Sequence, residues 1–81
     1  MSEYIHRAKL EYPNGYASYI QKYPNQGKEM WYKHIEKNEI REAEGQKFTK
    51  ADMLKMDSWE AERFWIFMAL VDFNYDKTFG K

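Results

Sequence analysis

Eighty-one residues with 13 basic and 13 acidic side chains and a formal charge of zero make one small domain. The chain lacks the basic excess that binding to a phosphate backbone or an anionic membrane normally demands. It has no cysteine, which removes disulfides, thiolate metal ligands and thiol nucleophiles, and no apolar run of about 18 residues that could span a bilayer.

The core must come from aromatic side chains. Three Trp, seven Tyr and five Phe make up 19% of the chain, and each can bury roughly 150–250 Å². The N-terminal stretch MSEYIHRAKLEY has no apolar core of a secretory signal and is not rich in Arg or Ser. The expected location is therefore intracellular, in the cytoplasm or an organelle interior. Within this stretch Ala8, Leu10 and Tyr12 alternate with Arg7, Lys9 and Glu11, as in a strand. Residues 1–14 are thus open to an extended reading, and a hairpin through Pro13-Asn14-Gly15 competes with a helical reading of residues 1–23.

Tyr-Pro-Asn occurs twice, at Tyr12 and at Tyr23. The residue before a proline is pushed out of the α region, so a helix should stop near each tyrosine. Asn14 and Asn25 then stand as N-caps of the segments that follow. Between the two stops, Tyr16, Tyr19, Ile20 and Tyr23 fall at i, i+3, i+4 and i+7, which predicts a helix over 15–23.

Helix formers dominate from Asn25 to Glu44, with Gly45 as the expected helix-ending residue. The apolar side chains Met30, Trp31, Tyr32 and Ile35 crowd the first half of this stretch, followed by Ile40 and Ala43. The next boundary is sharper. Thr49 and Asp52 have the spacing of a cap and its N3 partner, with Phe48 and Met53 placed as a hydrophobic staple. Asp57 and Glu60 repeat the pattern, so a short helix 50–56 should lead into a longer one, 58–73. Phe64 to Val71 reads FWIFMALV, apolar on every side of a helical wheel, as expected of a helix enclosed by the rest of the chain. Residues 74–81 read as a polar tail. The fold class expected is all-α: four to five short helices in a single domain, 1–81, around the central aromatic C-terminal helix.

Little in the chain suggests catalysis. His6 and His34 have no metal-ligand spacing, and the clustered glutamates 36, 39, 42, 44, 60 and 62 read as solvated helix faces. The serines at 2, 18 and 58 lack a recognisable His–carboxylate partnership, and the four glycines form no phosphate-binding loop. No enzyme activity, cofactor or metal is expected. The surplus of Trp, Tyr and Met on so small a scaffold points to a non-enzymatic interaction protein. It would serve as an accessory or structural subunit or adaptor on a larger protein assembly, with a phage-type inhibitor of a host protein as a special case. The interface residues expected are Trp31, Tyr32 and Ile35, where adjacent large side chains need two neighbours, and the stripe Tyr16, Tyr19 and Tyr23. The alternative is a single-stranded nucleic-acid binder, because the same tyrosines interleave with lysine.

Overall fold

A computed structural model of the chain describes residues 2–25 and 41–79. In chain order these form helices α1 (Ser2–Glu11) and α2 (Tyr16–Lys22), strands β1 (Arg41–Ala43) and β2 (Gln46–Phe48), the short helix α3 (Lys50–Met53), a 3₁₀ turn (Met56–Ser58) and the long helix α4 (Ala61–Phe79). The protein is mostly helical, with a small antiparallel sheet. Among the described residues, no helix is long and apolar enough to cross a membrane.

The apolar run enters α4 as expected. Phe64, Ile66, Phe67, Met68, Ala69, Leu70 and Val71 are all buried. Trp65 is partly buried, and its indole N–H donates to the Tyr12 carbonyl at 2.6 Å. Each neighbour covers one side of this helix. Phe64 meets the rings of Tyr12, Tyr16 and Tyr19, with centroids 5.7, 6.1 and 5.9 Å away. Phe67 meets Phe48 at 5.3 Å and Trp59 at 5.6 Å. Helix α1 runs antiparallel to α4: Tyr4 packs edge-on against Phe73 and donates its hydroxyl to Asp76 at 2.9 Å, while Tyr12 lies beside Phe64 and Trp65.

The N-terminal segment is not extended. Ile5, Ala8 and Tyr12 fall at i, i+3 and i+7, and this face, with Ala8 2% and Tyr12 4% exposed, is what α1 contributes to the core. Packing against α4 decides the segment, and the strand-like alternation of its polar residues has no bearing on it. The helix does stop at the first Tyr-Pro-Asn, and α2 stops at the second. Asn14, however, is not the cap of α2. Gly15 occupies that position with φ +65° and no side-chain cap, while the Asn14 N–H donates to Ser18 Oγ at 2.9 Å. The reason is steric: a Cβ at residue 15 would lie 2.9 Å from the Ala61 Cα.

The all-α expectation needs correction at residues 41–48. Instead of the end of a helix, Arg41–Ala43 pairs with Gln46–Phe48 in the register Arg41↔Phe48, Glu42↔Lys47, Ala43↔Gln46. Glu44 and Gly45 both have positive φ, +52° and +75°, as a two-residue primed hairpin turn requires. Buried Ala43 and Phe48 share the inner face, and oppositely charged Glu42 and Lys47 share the outer one. Residues 26–40, which hold the remainder of the predicted third helix and the expected cap Asn25's next segment, lie outside the described residues.

Thr49 caps α3 as its spacing implies, in a reciprocal capping box with Asp52, and the staple residues Phe48 and Met53 are both fully buried. The second cap is displaced. Asp57 sits inside the 3₁₀ turn, and α4 begins three residues later than expected, with the Glu60 carbonyl accepting from the Phe64 N–H at 3.2 Å. Residues 74–79 of the predicted polar tail are also helical, since α4 continues to Phe79.

The two positive-φ glycines separate strain from crowding. Gly15→Ala meets both an unfavourable backbone and the Ala61 backbone, whereas a Cβ at Gly45 would have nothing within 4 Å. Gly45→Ala should cost about 1 kcal/mol and Gly15→Ala at least about 3 kcal/mol, read as shifts in a urea midpoint. Equal losses at the two positions would contradict the close approach of residue 15 to α4.

Candidate functional site

Of the residues expected at an interface, Trp31, Tyr32 and Ile35 lie outside the described residues. Tyr16, Tyr19 and Tyr23 lie on or next to α2, on the face turned toward α4. Tyr19 is 1% exposed and belongs to the core, with its ring 5.9 Å from Tyr12, 6.2 Å from Tyr16 and 5.5 Å from Tyr23. Tyr16 and Tyr23 are half-buried at the core margin. Lys22 holds its ammonium 5.6 Å from the Tyr12 ring and 5.6 Å from the Tyr23 ring. The cation therefore covers rings of its own fold.

Among the described residues, exposed aromatic rings lie elsewhere. Tyr75 and Phe79, one helical turn apart on α4, bring their rings to 4.6 Å while remaining 58% and 67% exposed. They continue a stripe that starts inside the core with Phe64, Met68 and Val71 and then leaves it. The signal was present in the sequence. Phe64, Met68, Val71, Tyr75 and Phe79 keep one helical register, and no Gly or Pro follows Val71 before Gly80. The polar residues Asn74, Asp76 and Lys77 masked it, although they occupy the other faces of the same helix.

Carboxylates flank this pair. Asp72 is one turn before Tyr75, and Asp76 is one turn before Phe79 while accepting the Tyr4 hydroxyl. That hydrogen bond, with burial and the Asp76 charge, raises the pKa of Tyr4. Burial pushes the Asp72 carboxyl above its usual range, Glu11 adds to the shift, and Arg7 opposes it. Burial likewise raises Tyr12, so its phenol stays neutral.

A second feature lies at the opposite end of α4. An open groove of about 530 Å³ is lined by Asp52, Lys55, Trp59, Glu60, Glu62 and Arg63 among others. Arg63 is held from several sides. The guanidinium stacks 4.7 Å from the Trp59 ring centroid and 5.3 Å from that of Phe48, and Nη2 donates to the Lys47 carbonyl at 2.9 Å. One side chain thereby ties β2 and the 3₁₀ turn region to the first turn of α4. Glu60 and Glu62, read from the sequence as a solvated face, are exposed at the rim. Among the described residues, no three His, Cys, Asp or Glu side chains gather as a metal-holding group. Comparison with protein-family models, curated proteins and solved structures finds no match to this chain.

The raised Asp72 pKa has a definite sign in stability. The folded state binds this proton more readily than the unfolded state, so ionised Asp72 costs stability at neutral pH, and the cost disappears as pH falls through the raised folded value toward the unfolded one. Asp72→Asn should therefore raise the urea midpoint at about pH 7, and its advantage over the parent protein should shrink by about pH 4, near the ordinary Asp range. A midpoint that drops at pH 7 would mean that attraction to Arg7 outweighs burial and Glu11.

Proposed function

We propose that the protein is a small non-enzymatic interaction module that docks on a larger protein through the aromatic end of α4. The observation that carries this reading is the Tyr75–Phe79 pair: two rings in mutual contact, both more than half exposed, on a rigid helix rooted in the core. Aromatic side chains held in this way lose little conformational freedom on binding and are typical interface hot spots. The flanking Asp72 and Asp76 favour a partner that presents an apolar side chain bracketed by lysine or arginine.

Charge placement argues against the nucleic-acid alternative. A stacking platform for bases needs exposed rings beside lysine or arginine. Among the described residues, four cations lie over rings of the fold itself: Arg7 over Tyr4, Lys9 over Trp65, Lys22 over Tyr12 and Tyr23, and Arg63 over Trp59. The exposed pair has carboxylates at its side, which repel phosphate.

Tyr75 and Phe79 can be tested together because neither is needed to close the core. The variant Tyr75→Ala/Phe79→Ala should keep its melting midpoint within about 0.5 kcal/mol of the parent protein. It should lose at least about 2 kcal/mol of affinity, about thirtyfold in Kd, for a protein captured from nuclease-treated lysate. Undiminished capture by the double variant would remove this surface from the reading. Loss of capture on nuclease treatment would bring single-stranded nucleic acid forward instead.

A further inference from the structure

Asp72, Tyr75, Asp76 and Phe79 fall at i, i+3, i+4 and i+7 of α4, so two carboxylates share one side of the helix with the two exposed rings. We propose that Asp72 is the anchor of this surface: it receives a lysine or arginine side chain of the partner protein, whose aliphatic stem lies on the Tyr75 and Phe79 rings. This rests on the docking role proposed above and names the group that the partner must bring.

The two carboxylates are not equivalent. Asp76 already accepts the Tyr4 hydroxyl at 2.9 Å. Among the described residues, no hydrogen bond or ion pair engages the Asp72 carboxylate. Arg7 of α1 attracts it from a distance, but the Arg7 guanidinium stacks 4.9 Å from the Tyr4 ring centroid. Glu11 of α1 and Asp76 of α4 repel it, and the Tyr12 phenol, also near enough to feel its charge, stays neutral. The cation that α4 itself carries here, Lys77, lies outside the register of the face.

Three carboxylates thus stand against one arginine, and the half-buried member, Asp72, is the one left without a close partner. Burial and then Glu11 hold its carboxyl above the usual range, so its ionised form is unsatisfied in the free protein. A cation docked beside the rings would relieve this. Lysine and arginine suit the place because their stems pack on apolar surface while the charged head reaches an acid one turn away. The same arrangement links docking to a proton. A cation favours ionised Asp72, so the gain in affinity is present above the raised value of the free protein and is lost as pH falls through it.

The experiment is an NMR titration of the whole protein that follows the backbone amides of Asp72, Tyr75, Asp76 and Phe79. Blocked Gly-Lys-Leu-Lys-Gly, Gly-Gln-Leu-Gln-Gly and Gly-Glu-Leu-Glu-Gly peptides are compared at matched ionic strength. At neutral pH the lysine peptide should saturate with a midpoint on the order of 10 mM, at least about threefold tighter than the glutamine peptide, with the glutamate peptide weakest. Asp72→Asn should cut the preference for lysine over glutamine below about 1.5-fold, and in the parent protein the preference should fade by about pH 4. The proposal is overturned if no peptide saturates, if the parent protein binds the lysine and glutamine peptides equally, or if Asp72→Asn keeps the full preference. Should Asp72→Asn fail to fold, a lysine preference in the parent protein that survives acidification to about pH 4 overturns it. Equal binding of the two peptides that disappears in Tyr75→Ala/Phe79→Ala overturns the Asp72 anchor and leaves the aromatic docking surface standing, whereas failure of that surface is read from lysate capture by the double variant.

Discussion

A helix that is apolar on every side cannot rest on a surface, and the other described elements are arranged to meet that constraint. Phe64 to Val71 would expose large aromatic and aliphatic side chains on any side left open, each worth roughly 1.5–3 kcal/mol when buried. With so short a chain, each element contributes only a few covering residues. Helix α1 and the residue after it supply Ala8 and Tyr12, α2 supplies Tyr19, the hairpin supplies Ala43 and Phe48, and the segment that follows supplies Met53 and Met56. Gly15 is where this enclosure is tightest. The turn between α1 and α2 passes so close to Ala61 that the backbone there cannot carry a side chain.

Enclosure of the middle of α4 leaves its two ends to the surface, with opposite characters. At the first turn the surface is concave, charged and organised around a stacked arginine. At the last turns it is exposed and aromatic, edged by carboxylates. Arg63 and the Tyr75–Phe79 pair are separated by roughly 20 Å along the axis, at 1.5 Å per residue. The two surfaces share the same rigid support without sharing any residue.

Strong local chemistry made parts of this architecture legible in the sequence. Both Tyr-Pro-Asn stops, the Thr49 capping box and the all-round burial of α4 follow from rules that act within a few residues. The departures occur where two local readings were equivalent and distant packing chose between them. A glycine after a run of helix formers serves equally as a helix end or as half of a primed turn, and only the burial of Ala43 and Phe48 selects the hairpin. Asp57 had the composition of a cap, but the chain needs one further turn there to bury Met56 and to bring Trp59 onto Phe48 and Phe67. The candidate surfaces were less legible. The tyrosines of α2 look like interface residues until α4 is placed against them. Arg63 gains its significance from Phe48, Asp52 and Trp59, which come together only in the folded protein, while the exposed pair on α4 was hidden among polar residues of other faces.

The hydrogen bonds from Tyr4 to Asp76 and from Trp65 to Tyr12 join positions 72 and 53 residues apart in the chain. Since α4 follows every element that packs on it, the order of synthesis matters. While the ribosome is making residues 2–60, α1, α2 and the hairpin have no α4 surface on which to bury their apolar faces. At about 5–20 residues per second, several seconds pass before that surface is complete. Consolidation of the core is therefore deferred until the central helix emerges. In the interval the aromatic side chains of the earlier elements remain accessible to chaperones and to one another.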